Sequence, residues 1–387
     1  MDAPDSLDRA DPLAAFRDRF DLPAGVIYLD GNSLGPLPKA TRARLAEVID
    51  RHWGRDLIAS WTVNGWMDLP LRIGAKLGRL LGAEPDSMVA GDSTSVNLFQ
   101  ALAAALALRP DRRVILSETG NFPTDLYMAE GLAALLGRGH AFRQAPADAI
   151  EAALDETVAV LLLTHVNYRS GRMHDMARLT AAAHAAGAIT VWDLSHSAGA
   201  VPVDLAGSAA DFAVGCGYKF LNGGPGAPGY LYIAPRHQTA PLPLTGWIGH
   251  AEPFAFAPSY RPAEGIGRAR VGTPPILGLA ALEVGVDLAL EADIRLVREK
   301  SVRMTELFLR LAATSLPGFG IATPRDPDAR GSQVCLTHPD AAAIMRRLAA
   351  RGIVGDFRPP DVLRFGITPL TLRYAELWQV IAALAEG

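Results

Sequence analysis

Val158-Ala-Val-Leu-Leu-Leu-Thr-His165 is an unbroken apolar run that closes on two polar residues. A run of that length without alternation reads as a strand buried on both faces, and such strands belong to parallel sheets covered by helices. The flanking sequence fits. Asp175 to Ala186 has the spacing of a helix and is stopped by Gly187, and Ala188-Ile-Thr-Val-Trp-Asp193 returns as the next strand. Asp211 to Val214 and Gly229 to Ile233 follow as two more. Upstream, Arg113-Val-Ile-Leu-Ser-Glu118 holds a shorter strand, and Asp125 can open a helix that runs to about Leu136. Strands alternating with helices imply an α/β protein with a mostly parallel sheet flanked by helices.

Outward from this unit the pattern changes. Pro and Gly punctuate Pro235 to Pro275, which reads as a long functional loop region. Helical spacing resumes near Leu277 and continues through Ala281 to Ala313. A strand-like Gln333-Val-Cys-Leu-Thr337, a helix from Ala341 to Arg351, and the segment Ile353 to Phe365 complete a smaller α+β unit. A chain of 387 residues suits one large domain plus a smaller one. The expected division is an N-terminal segment, 1–60, packing with the small domain, a large domain, 61–285, and a C-terminal small domain, 286–387.

A net charge of −4 leaves no nucleic-acid footprint. The two cysteines, Cys216 and Cys335, form no disulfide framework, and no CxxC or Cys/His zinc spacing exists. The nine histidines lack metal-site spacing, so no metal is expected. His184 reads as a helix-surface residue. The start, Met-Asp-Ala-Pro-Asp-Ser-Leu-Asp-Arg-Ala, is acidic without an apolar signal core, and stretches such as Ala101 to Leu108 are too short to span a bilayer. The expectation is a cytoplasmic protein.

Only four of the 37 Lys and Arg residues are lysines, and one, Lys219, sits in the apolar, glycine-rich Asp211-Phe-Ala-Val-Gly-Cys-Gly-Tyr-Lys-Phe-Leu-Asn-Gly-Gly-Pro-Gly226. A lysine there suggests chemistry that arginine cannot perform: a Schiff base with an aldehyde, for which burial helps deprotonate the amine. Pyridoxal phosphate (PLP) is the aldehyde to test. Asp193 ends a buried strand, where α/β sheets bind ligands, and a carboxylate there can pair with a protonated pyridine nitrogen; alone it would be an ordinary strand-terminal Asp. In Gly91-Asp-Ser-Thr-Ser-Val-Asn97, Thr94 and Ser95 open a helix and are phosphate candidates, against a plain N-cap. In Asn121-Phe-Pro-Thr-Asp125 an aromatic beside a fixed turn could stack on a planar ring, or simply fill the core. In Leu363-Arg-Phe-Gly-Ile-Thr-Pro-Leu370 an arginine among apolar residues can clamp a carboxylate, or pair with a surface acid. His196 lies three residues past Asp193 and faces the same pocket.

These pieces resemble kynureninase, a PLP enzyme of the aspartate-aminotransferase type I fold, from about Tyr28 to Arg373. The signatures are Tyr28-Leu-Asp-Gly-Asn-Ser-Leu-Gly35, Trp61 to Pro70, Asp92 to Asn97, Asn121 to Asp125, Trp192-Asp-Leu-Ser-His196, Gly217-Tyr-Lys-Phe-Leu-Asn222, Gly246-Trp-Ile-Gly-His250 and Gly272-Thr-Pro-Pro-Ile276. The resemblance implies that Lys219 carries PLP, Asp193 holds its ring nitrogen with His196 close by, and Phe122 stacks on the ring beside Thr124 and Asp125. Thr94, Ser95, Tyr218, Trp247 and Thr273 would gather around the phosphate and the rim, with Thr164 at another cofactor-lining position. Arg364, Trp61 and Ser33 would meet the substrate.

The implied reaction is hydrolysis of L-kynurenine to anthranilate and L-alanine. Lys219 would be the base at Cα, and Tyr218 either a proton relay or a phosphate hydrogen-bond donor. Animal-type relatives have His and Asn where this chain has Trp61 and Thr273, so L-kynurenine is expected to be preferred over 3-hydroxykynurenine. The family implies a homodimer with active sites at its interface, serving tryptophan catabolism by the kynurenine pathway, NAD biosynthesis or anthranilate supply for a secondary metabolite. Rivals are a cysteine desulfurase or selenocysteine lyase using Cys335, although Cys335 lies in a strand-like run, and a PLP-fold protein without catalysis, although the lysine, carboxylate and arginine are all present.

Overall fold

The computed structural model describes residues 4–386, so the first three residues of the acidic start and the last residue of the tail lie outside it. The chain opens with α1 (Pro4–Arg9), β1 (Ile27–Tyr28), α2 (Lys39–Glu47) and α3 (Ser60–Val63). It then alternates: α4 (Leu69–Leu80), β2 (Met88–Ala90), α5 (Thr94–Ala107), β3 (Val114–Glu118), α6 (Pro123–Leu136), β4 (Ala141–Ala145), β5 (Val158–Thr164), α7 (Met176–Ala185), β6 (Ile189–Asp193), β7 (Phe212–Cys216) and β8 (Gly229–Ile233). Two long helices follow, α8 (Ile276–Glu291) and α9 (Ile294–Ser315), and then β9 (Gly320–Ile321), β10 (Gln333–Thr337), α10 (Ala341–Ala350), β11 (Ile353–Val354), β12 (Asp356–Arg358), β13 (Val362–Gly366) and α11 (Tyr374–Ala385).

The seven-stranded sheet has the order β2-β8-β7-β6-β5-β3-β4. Every pairing from β4 to β7 is parallel, and β8 alone is reversed, antiparallel to both β7 and β2. Side chains of β5 explain its two-sided burial. Leu161 and Leu163 enter one apolar cluster with Leu77 and Trp192, while Val160 and Leu162 enter another with Leu98 and Val191. Each fully buried Leu or Val contributes about 1.5–3 kcal/mol relative to exposure. Caps set the helix starts: the side chains of Ser93, Asp175 and Asp293 accept from Val96, Arg178 and Arg295 backbone N–H groups.

The second sheet is antiparallel, β12-β13-β10-β9, and its core joins Phe308, Phe365 and Leu377 to Leu29 from the N-terminal segment. That segment is fastened to the C-terminal elements. β1 pairs in parallel with β11. Asp8 accepts from the Tyr374 and Ala375 backbone N–H groups at the start of α11. Buried Lys300 holds Asp11 at 2.7 Å, and Arg17 holds Glu376 at 2.8 Å.

Several details differ from the sequence reading. α6 starts at Pro123, ahead of Asp125, because proline at the first turn already has helical φ. β2 and β4 escaped it: β2 has three residues, and β4 is an edge strand with only Ala145 buried. The 235–275 region holds four 3-10 turns and no strand or α-helix. His184 lies exposed on α7, as read, and its Nε2 also sits 2.8 Å from the buried Asp211 carboxylate.

Candidate active site

Three central strands end side by side: β5 on Thr164, β6 on Asp193, and β7 on Cys216, followed at once by Gly217, Tyr218 and Lys219. Because β8 returns antiparallel beside β7, the lysine stands on a loop held at both feet by strands. Close backbone contact fixes that loop. A Cβ on Gly35 would lie 2.2 Å from the Lys219 carbonyl oxygen, so only glycine lets its N–H reach the Tyr218 carbonyl at 2.8 Å.

The Lys219 amine is 3.0 Å from His196 Nε2 and faces the Phe122 and Tyr218 rings, 5.8 and 5.9 Å from their centroids. His196 is buried. Its Nε2 also lies 3.1 Å from the Asn32 carbonyl, while its Nδ1 is buried without a partner. Burial first, then the nearby Lys219 and Arg364 charges, holds its imidazole well below the ordinary range, so it is neutral. Asp193 accepts the Ser195 backbone N–H at 2.8 Å. Thr164 Oγ1 lies within donating reach of Asn121 Oδ1 and, at 3.0 Å, of Asp125 Oδ2. Asp125 and Asp193 are both buried and repel one another. Burial and then that repulsion push Asp125 well above the usual carboxylate range; burial also raises Asp193, against the pull of Ser195 and Lys219.

These groups suit PLP. A buried carboxylate raised by desolvation is what a protonated ring nitrogen would relieve. The half-buried Phe122 ring offers a face to a planar group, edge-on to Tyr168 at 5.3 Å between centroids. The first turn of α5 presents Thr94 and Ser95, whose hydroxyls make no hydrogen bond among the described residues, beside the turn's free N–H groups. Thr124 lies in the first turn of α6, one residue before Asp125. Burial pushes the Tyr218 phenol upward, so it stays protonated and can donate.

On the small sheet, Arg364 in β13 is buried. Its Nη2 donates to Asp356 Oδ2 at 2.6 Å and to Ser33 Oγ at 2.5 Å, and its Nη1 to the Tyr168 carbonyl at 3.1 Å. Asp30 lies 3.9 Å away, its carboxyl pushed up to about 6 mainly by burial. Sequence reasoning missed Asp356, Tyr168, Asn32 and Asn121 as members of the cluster. Asp356 could have been found from its place eight residues before Arg364 in a strand pair, as an acid facing the clamp.

Trp61, Trp247 and Thr273 are not brought to Lys219. Among the described residues no hydrogen bond, ion pair or ring contact joins them to it. Trp61 packs edge-on to Trp66 at 5.7 Å, Trp247 to Phe254 at 5.9 Å, and Thr273 is exposed beside the turn of Gly91 and Asp92. Cys335 is buried in β10, burial pushing its thiol up to about 11, which leaves it no thiolate for sulfur chemistry.

Among solved structures, a variant of the C-DES protein with glycine covalently linked to its PLP cofactor superposes with a TM-score of 0.80, at 19% identity, over 96% of this chain and 99% of that one. The fold is therefore that of the type I PLP-dependent enzymes. Sequence comparison is more specific. The kynureninase of Deinococcus radiodurans is 53% identical over 98% of this chain and 94% of its own length, and that of Burkholderia mallei 48% identical with the same coverage. The family model of the kynureninase C-terminal domain matches residues 297–384. The chain belongs to the kynureninase family.

Proposed function

We propose that this chain is a PLP-dependent hydrolase that cleaves the Cβ–Cγ bond of L-kynurenine, yielding anthranilate and L-alanine, with 3-hydroxykynurenine a poorer substrate. The observation that carries the reading is near-full-length identity to kynureninases combined with one cluster of Lys219, Asp193, His196 and Arg364.

When bound at Lys219, PLP supplies an aldehyde for the substrate amine and a ring that withdraws electrons from the carbons beside it. Asp193 would hold the proton on the ring nitrogen, and the Thr94 and Ser95 turn would hold the phosphate. Arg364 orients the substrate α-carboxylate. Lys219, once exchanged for the substrate amine, lies beside Cα and moves its proton. Tyr218 keeps its proton at neutral pH, so it would serve as a donor, either to the phosphate or to the carbon released when the bond breaks. Water adds to the aryl ketone; a base takes an O–H proton of the hydrate as the Cβ–Cγ bond breaks, its electrons pass to Cβ, which takes up a proton, and anthranilate leaves.

The active unit is a homodimer in which a second copy brings Trp61, Trp247 and Thr273 to the pocket. Supporting this, the segments that carry the two tryptophans expose large apolar side chains, Ile58 at 80% and Phe256 at 77%. Among the described residues no helix is long and apolar enough to cross a membrane; the reading is a cytoplasmic enzyme of tryptophan catabolism or NAD biosynthesis. The division into 1–60, 61–285 and 286–387 is retained as the domain scheme, which limited proteolysis tests.

The test is to incubate PLP-loaded protein with L-kynurenine and follow anthranilate fluorescence, with 3-hydroxykynurenine in parallel. Faster turnover of L-kynurenine is expected. A PLP-bound protein that leaves both untouched would move the function to another amino acid.

A further inference from the structure

The register of the small sheet decides what faces the clamp. Asp356 lies directly opposite Arg364, and Arg358, two residues on, shares its face. Arg358 Nη2 reaches the same Asp356 Oδ2 that Arg364 Nη2 holds, both at 2.6 Å. Two guanidinium groups thus converge on one oxygen, and the Nε of each is buried without a partner among the described residues.

A guanidinium has five N–H groups, and both of its two-pronged edges use Nη2, paired with Nε–H in one and with Nη1 in the other. On Arg364, Nη2 is already occupied by Asp356 and Ser33. One Nη1 hydrogen goes to the Tyr168 carbonyl. The donors left are Nε–H and the other Nη1–H, which lie on opposite sides of the group. A carboxylate that leaves these contacts in place receives only one bond from Arg364. A second donor has to come from elsewhere, and Arg358, whose Nη2 shares Asp356 Oδ2 with Arg364 and whose Nε–H has no partner among the described residues, is the cation that can supply it.

We propose that Arg358 is a second substrate-recognition residue: the α-carboxylate of the amino-acid substrate is held between Arg364 and Arg358, with Asp356 as the shared pivot that keeps two like charges together. This rests on the reading of Arg364 as the carboxylate clamp. Burial and the Arg358 charge are the two leading influences that lower the Arg364 guanidinium, so an anion received between them relieves that strain.

The test is a calorimetric titration of PLP-loaded protein with L-alanine and with L-alaninamide, which replaces only the carboxylate. The wild type should prefer the acid. Arg358→Gln should reduce that preference about tenfold, as expected for one lost charge-assisted hydrogen bond, without changing amide binding. Arg358→Lys, which keeps the charge, should recover part of it. Equal loss of acid and amide binding would mean a structural role and overturn the proposal, as would an unchanged preference or a wild type that does not distinguish the two. No turnover is needed, so a protein that fails to cleave L-kynurenine would sink the proposed reaction while this result still stands or falls separately.

Discussion

Around Lys219, three side chains are moved off their ordinary protonation ranges by burial: Asp125 and Asp193 upward, His196 downward. Such clustering is what a site for proton chemistry requires. Lys219→Ala should lower anthranilate formation by about a thousandfold or more, since it removes both the anchor and the base; near-normal rates would remove the lysine from the mechanism. Arg364→Ala should raise KM for L-kynurenine about 10- to 100-fold with a smaller change in kcat, the signature of a lost charged contact. Much of this site was legible in the chain. A lone lysine in an arginine-rich sequence, and an Asp closing a buried strand, are local signals. The Asp125–Asp193 pairing was not legible, because the two stand 68 residues apart and meet only in the fold, where Thr164 at the end of β5 also bonds Asp125. Nor was all of Arg364's company: Ser33 was named with it, but Asp356 and the Tyr168 carbonyl come from two further segments.

At the level of elements, one buried carboxylate ties the far end of the sheet together. Asp211, just before β7, accepts from His184 in α7, from Arg236 and His237 after β8, and from the Thr190 backbone N–H in β6. These partners hold its carboxyl well below the usual range despite burial. A depressed carboxyl stabilises the fold above its unfolded pKa of about 3.9, and that contribution is lost as pH falls below it. Asp211→Ala strands the partners and should destabilise by about 3–5 kcal/mol in urea unfolding at pH 7; a change near zero would show the node to be dispensable. Element type was readable where a long run is buried on both faces, as in β5, and failed where the strand is only three residues long, as in β2, or lies at an edge. β4 lies at the sheet edge and carries Arg143 and Gln144, so nothing in its pattern marks a strand.

Two expectations belong to the molecule as a whole. The first concerns acid. Burial lowers His165 to about 4, so it stays neutral when folded but charges below about pH 6.5 when unfolded. Its contribution is complete above pH 6.5 and is lost as pH falls toward 4, on the order of 3 kcal/mol. Raised carboxyls such as Asp30 act in the opposite sense, favouring the fold at low pH and losing that effect as pH rises through about 6. Comparing wild type with His165→Asn at pH 7.5 and 5 isolates the histidine: the variant should lose less stability between the two. The second concerns assembly. Light scattering should find two copies, and Ile58→Asp should shift the protein toward one copy and lower its turnover; a fully active monomer would return the rim residues to a single chain.

The pairing of β1 with β11 has a consequence for biosynthesis. Ile27 finds its strand partner in Ile353, about 330 residues later. At ribosomal rates of roughly 5–20 residues per second, the first strand waits about 15–65 s before its partner exists. Throughout that interval Leu29, destined for the interior of the small unit, has no place to go. The nascent chain can complete its central sheet early, yet the leading segment, which carries the Asn32 carbonyl beside His196 and the glycine that seats the lysine loop, docks last. Competence for catalysis is therefore acquired only once β11 has been made, and a ribosome-stalled product lacking β11 to β13 would own a complete lysine and no working pocket.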